Sequence, residues 1–144
     1  MSTPPGDVLG EMTFRLSYAD CDPAGIVYYA AYLPWAERLH SEWWFDRSLR
    51  IDQHRSLLGA SLVTRHVECA YTRAPTVYDE LRAQLVLEAI GHTSYQLGCR
   101  FRRVDDEVDV AHLRLTMVFI DHDRSPTSIP ARARQALRCV GPGG

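Results

Sequence analysis

Between residues 11 and 18 the apolar residues Met12, Phe14, Leu16 and Tyr18 alternate with Thr13, Arg15 and Ser17. A period of two marks a strand buried on one face. Over residues 31 to 47 the spacing lengthens to three and four, with Tyr32, Trp35, Ala36, Leu39 and Trp43 in one stripe. That predicts a helix with an apolar face, and Pro34 falls in its first turn, where a missing N–H costs little. Residues 48 to 60 read as a connector with one helical turn. Four later runs, 61–73, 79–91, 93–104 and 107–120, are rich in β-branched and aromatic residues and alternate in places, as in Tyr95, Leu97, Cys99 and Phe101. They predict four more strands. The separators "APTVYD", Gly91-His92 and "VDDE" each suit a hairpin turn, so a meander is expected. Residues 130 to 138 predict a last helical segment, with its proline near the start.

One strand, one long helix and four antiparallel strands make an α+β domain whose single helix must cover the apolar face of the sheet. A curved antiparallel sheet of five or six strands wrapped around one long helix is the hot-dog arrangement. Its open sheet edge favours pairing of copies, as a homodimer or homotetramer. A chain of 144 residues suits one such domain. The expected division is a flexible leader over 1–10, the hot-dog domain over 11–121, and a C-terminal segment over 122–144 with a short helix and a loose Gly/Pro tail.

Composition narrows the chemistry. A formal charge of −2 gives no reason to expect a nucleic-acid partner. All sixteen basic residues are arginine, which excludes a Schiff-base lysine and the P-loop lysine. Cys21, Cys69, Cys99 and Cys139 form no C-x-x-C pair, so no zinc knuckle or thioredoxin-like centre is encoded. The first ten residues carry no signal-peptide pattern and no apolar run reaches 18 residues, so a cytoplasmic protein without membrane association is expected. No G-x-S-x-G elbow occurs, and His66-Val67-Glu68 lacks the P-C-x-x-C partner of a zinc deaminase. Asp121-His122-Asp123 reads as a polar strand exit; neither a metal nor a cofactor is expected.

The stretch "DCDPAGIVYY", residues 20 to 29, is the odd one. Two carboxylates and a proline precede a glycine, and an apolar run leads straight into the predicted helix. Its plain reading is a loop whose acids favour the positive end of a helix. Its chemical reading is a carboxylate, Asp22, beside the unpaired N–H groups that open a helix, with Gly25 leaving the backbone accessible. Hydrolysis of an activated carbonyl needs both an attacking or water-activating group and donors for the oxyanion.

Residues 19 to 35, "ADCDPAGIVYYAAYLPW", resemble the signature of the 4-hydroxybenzoyl-CoA thioesterase family, in which a strand ends in D-x-D-P-A-G-[IV]-V and leads into the hot-dog helix. The resemblance implies a thioesterase acting on an acyl-CoA, favouring an aromatic acyl group, with Asp22 as nucleophile or general base and the Tyr29 backbone amide as oxyanion donor. It also implies roles in binding substrate. Glu37 is either a solvated helix residue or approaches the far end of the substrate, and Tyr71 is either core or a pocket wall facing a partner subunit. Relatives that use CoA often place a cation in the turn between the third and fourth strands, where this chain has only His92. Arg100, with Arg102 and Arg103, or else Arg73 or Arg65, would take the phosphates. An acyl carrier protein as donor would need fewer cations, and a non-catalytic acyl-binding or scaffolding protein is the alternative from another class.

Overall fold

The computed structural model describes residues 6–139. The elements follow in the order β1 (Asp7–Arg15), α1 (Tyr32–Asp46), α2 (His54–Leu58), β2 (Ser61–Tyr71), β3 (Glu80–Ile90), β4 (Ser94–Arg103), β5 (Asp109–Ile120) and α3 (Ala131–Arg138). The five strands form one antiparallel sheet in the spatial order β1-β3-β4-β5-β2. Alternation puts Leu81, Ala83, Leu85 and Leu87 of β3 and Tyr95, Leu97, Cys99 and Phe101 of β4 on the concave face, all buried. Ala36, Leu39, Trp43 and Trp44 of α1 pack into that face. This is the expected hot-dog arrangement, with five strands.

Three expectations change. β1 begins at Asp7, paired with Leu87, so residues 7–10 of the expected leader belong to the sheet; residues 1–5 lie outside the described residues, as does the tail from 140. At its other end the chain leaves the sheet before Tyr18, which is 80% exposed in a short 3-10 turn. Asp20 stabilises that turn by accepting the backbone N–H of Ser17 at 2.8 Å. Finally, the sheet is a meander only over β3, β4 and β5. β2 pairs with β5 and β3 with β1, so "APTVYD" is no hairpin turn but part of a crossing from one edge to the interior near the other. Local turn chemistry cannot distinguish the two, because both begin with a reversal.

One polar network runs through the core, while Trp43 Nε1, His54 Nδ1 and His112 Nε2 are buried without a partner among the described residues. His40, 2% exposed, lies 2.6 Å from the hydroxyl of Tyr95, and Trp44 Nε1 donates to both His40 Nε2 and Tyr95 Oη at 3.1 Å. An indole N–H only donates, so Nε2 is the accepting nitrogen of His40. α3 packs with Ala133 and Leu137 buried. No helix among the described residues is long and apolar enough to cross a membrane.

Candidate active site

The stretch from Asp20 to Tyr28 folds into a miniature hairpin. Asp22 N–H donates to the Ile26 carbonyl at 2.9 Å, Tyr28 N–H to the Asp20 carbonyl at 2.9 Å, and Gly25 N–H closes a four-residue turn on the Asp22 carbonyl at 2.9 Å. Aspartate first, proline second and glycine fourth are the residues such a turn prefers. Gly25 has φ +80°, and an added Cβ would meet nothing within 4 Å; glycine is there for its left-handed backbone rather than for a close approach. The hairpin is anchored through Val27 N–H to the Pro75 carbonyl at 3.1 Å and Val77 N–H to the Gly25 carbonyl at 3.2 Å.

Asp22 is partly buried, and its Oδ1 accepts the Ala24 N–H at 2.8 Å. This bond orients the carboxylate and leaves Oδ2 without a protein partner among the described residues. Asp20, Asp22 and Asp79 surround Cys21, whose thiol is pushed up by burial first and then by these carboxylates. Past the hairpin, a 3-10 turn over Tyr29–Ala31 runs directly into α1. Tyr29 is its first residue, so no carbonyl of the turn can accept its N–H. That N–H makes none of the loop hydrogen bonds either.

Beside this turn lies a cleft of about 320 Å³ lined by Ile26, Val27, Tyr29, Tyr32, Tyr71 and the 72–75 segment. Tyr71 spans it: from the end of β2 its hydroxyl donates to the Tyr29 carbonyl at 2.8 Å, tying the edge strand to the turn that starts the helix. Burial pushes the phenol of Tyr32 well up, with Cys69, Tyr71 and Cys21 adding to the same direction.

Of the residues read from the sequence, Tyr29, Tyr71 and Arg73 line this cleft, and Asp22 and Gly25 belong to the hairpin whose next two residues do. Glu37 is exposed on α1 and outside the cleft lining. Arg100 projects from the opposite, convex face of the sheet, beside Glu11, Arg82, Gln84 and Arg102 around a separate hollow of about 140 Å³. His92 sits at the far end of β4; the nine positions from His92 to Phe101 span roughly 30 Å of extended chain. His92 Nε2 lies 3.1 Å from Ser128 Oγ, and Arg134 donates to the carbonyls of Gly91 and His92 at 2.9 Å. Arg134 of α3 thus places a guanidinium against that turn, which no local signal in the turn could disclose. Tyr32 was legible only as part of an apolar helical stripe, and its place in the cleft depends on where β2 ends. Asp121 accepts the N–H groups of Asp123 and Ser125 at 2.8 and 3.0 Å, as a polar strand exit does.

Solved structures similar to this chain include a 1,4-dihydroxy-2-naphthoyl-CoA thioesterase from Synechocystis, with a TM-score of 0.78 at 18% identity, covering 90% of this chain and 97% of that one. A Staphylococcus aureus protein in complex with CoA has a TM-score of 0.79 at 14% identity, covering 96% and 86%. A gentisyl-coenzyme A thioesterase has a TM-score of 0.72 at 17% identity, covering 87% and 99%. These likenesses establish the shared fold. No curated protein matches the chain. The family model of the Thioesterase-like superfamily matches residues 16–137, from the end of β1 through most of α3, and on that match the chain belongs to the Thioesterase-like superfamily.

Proposed function

We propose that the protein hydrolyses an acyl-CoA thioester with an aromatic acyl group, using Asp22 as nucleophile or general base and the Tyr29 N–H as oxyanion donor. The carrying observation is the miniature hairpin, which orients the Asp22 carboxylate through one oxygen and delivers the chain, seven residues later, to an unpaired N–H on the cleft wall. As a nucleophile, Asp22 would add to the thioester carbonyl and expel the CoA thiolate, leaving a mixed anhydride for water to cleave. As a base, it would take a proton from the attacking water as the C–O bond forms and the C–S bond breaks. Either route concentrates charge on the carbonyl oxygen, which the Tyr29 N–H would stabilise. The aromatic lining of the cleft supports an aryl substrate, as do the aryl-CoA names of two structural neighbours.

A homodimer completes this reading. β2 is an edge strand with Val63, Val67 and Tyr71 each more than a third exposed. Ser61 lies opposite Ile120 and Ser94 opposite Val118, so β2 starts at the end of the sheet that carries the His92 turn and finishes at the cleft. Antiparallel pairing of two β2 edges would set one protomer's cleft beside the partner's His92, with the cation of the partner's Arg134 close by. A carrier-protein donor is the second reading, favoured by Arg73 being the one arginine in the cleft lining.

Asp22→Asn tests the proposal. Thiol release from benzoyl-CoA should fall about 10²–10⁴-fold, while the variant still binds the thioester. Wild-type protein that turns over neither CoA nor carrier-protein thioesters would leave the non-catalytic binding reading in its place.

A further inference from the structure

Two tyrosines are buried to within 2% exposure, and they are treated differently by the fold. Tyr95 shows what a structural phenol looks like here: its oxygen is 2.6 Å from His40 and accepts from Trp44 at 3.1 Å. Tyr32 is 2% exposed as a residue, and its hydroxyl makes no hydrogen bond to the described residues. Its ring contacts are aromatic: edge-on to Phe101 at 4.9 Å and to Trp35 at 5.6 Å, and tilted on Tyr71 at 5.7 Å. Phenylalanine would make every one of them. The oxygen is not among the buried unpartnered atoms of the described residues, so it keeps an opening to solvent, and the ring packing alone gives no reason for it.

The cleft gives one. Tyr32 lines it among Ile26, Val27, Tyr71 and Pro75, and the nearby polar side chains do not satisfy it. Cys21 and Cys69 are weak partners, and the Tyr71 hydroxyl already donates to the Tyr29 carbonyl. We propose that Tyr32 determines specificity: its hydroxyl hydrogen-bonds a polar substituent of the acyl group, so that hydroxyaryl thioesters are selected over unsubstituted ones. This rests on the thioesterase reading above. A site that loses its partner when the substituent is missing discriminates more sharply than an apolar pocket.

The experiment compares kcat/KM for benzoyl-CoA with that for the 2-, 3- and 4-hydroxybenzoyl-CoA isomers, in wild type and Tyr32→Phe. Wild type should favour at least one hydroxylated isomer by about tenfold, and Tyr32→Phe should bring that ratio to within about threefold of unity, the scale of one neutral hydrogen bond. Its melting temperature should stay close to wild type, because the ring contacts are kept. An unchanged ratio in the variant, no wild-type preference, or a large drop in melting temperature would each overturn the inference. Wild-type turnover that Asp22→Asn abolishes alongside an unchanged ratio would sink only the Tyr32 role; absence of wild-type turnover would sink both.

Discussion

Lowering the pH from 7.5 to 5 should destabilise this protein through a histidine far from the cleft. His40 is 2% exposed, and its Nε2 accepts from Trp44 while lying 2.6 Å from the Tyr95 hydroxyl. A proton there would expel both donors and bury a charge. Burial, with His54 as a second contributor, holds the His40 pKa down from 6.5 to about 3. In the unfolded chain the imidazole binds a proton below about pH 6.5, and in the folded chain it does not until about pH 3. Its contribution to stability is therefore complete above the unfolded pKa and lost as pH falls, at about 1.4 kcal/mol per pH unit once well below 6.5. By pH 5 the loss is about 2 kcal/mol from His40 alone. His54, also lowered chiefly by burial, adds in the same direction. Urea unfolding at pH 7.5, 6.5, 5.5 and 5 measures this in a window above most carboxylate titration. His40→Gln keeps an acceptor for Trp44 but cannot titrate, so its stability, although lower at pH 7.5, should fall less steeply. Equal pH slopes for wild type and variant would refute the reasoning.

Two further outcomes follow from the hairpin and its clamp. Tyr71→Phe removes the 2.8 Å hydrogen bond to the Tyr29 carbonyl; loosening the turn should lower kcat about fivefold, for roughly 1 kcal/mol, with KM and melting temperature little changed. A rise in KM at constant kcat would instead make Tyr71 a simple pocket wall. Gly25→Ala, forced into φ +80°, should cost about 1–2 kcal/mol by denaturant titration, and Gly25→Asn less. Equal stability of wild type and Gly25→Ala would show that the turn relaxes freely.

Period-two runs from β1 to β5 and the three-and-four spacing of α1 were legible because burial of one face is written into each segment. Helix boundaries of 31–47 became Tyr32–Asp46, a shift set by the 3-10 turn. The Asp22 hairpin was partly legible too, since the preferences of a D-P-A-G turn are local. Misreadings arose where a local cap or a non-local pairing took over. Tyr18 continued an alternation that Asp20 interrupts by capping its own turn, and "APTVYD" resembled a hairpin although its flanking strands pair elsewhere.

Position in the sheet separates the remaining residues. Arg100 and His92 carry chemistry that suits an anion, but strand parity turns Arg100 to the convex face, and the length of β4 puts His92 at the other end. Arg134 reaches the His92 turn only because α3 folds back across it. By itself the sequence determined which segments bury a face and that one short turn holds a carboxylate ahead of a helix, because backbone preference and side-chain periodicity act over a few residues. Only the tertiary structure decided that Tyr71 clamps Tyr29 and that the Tyr32 hydroxyl faces a cleft unpaired, because strand order brings together groups that no local spacing relates.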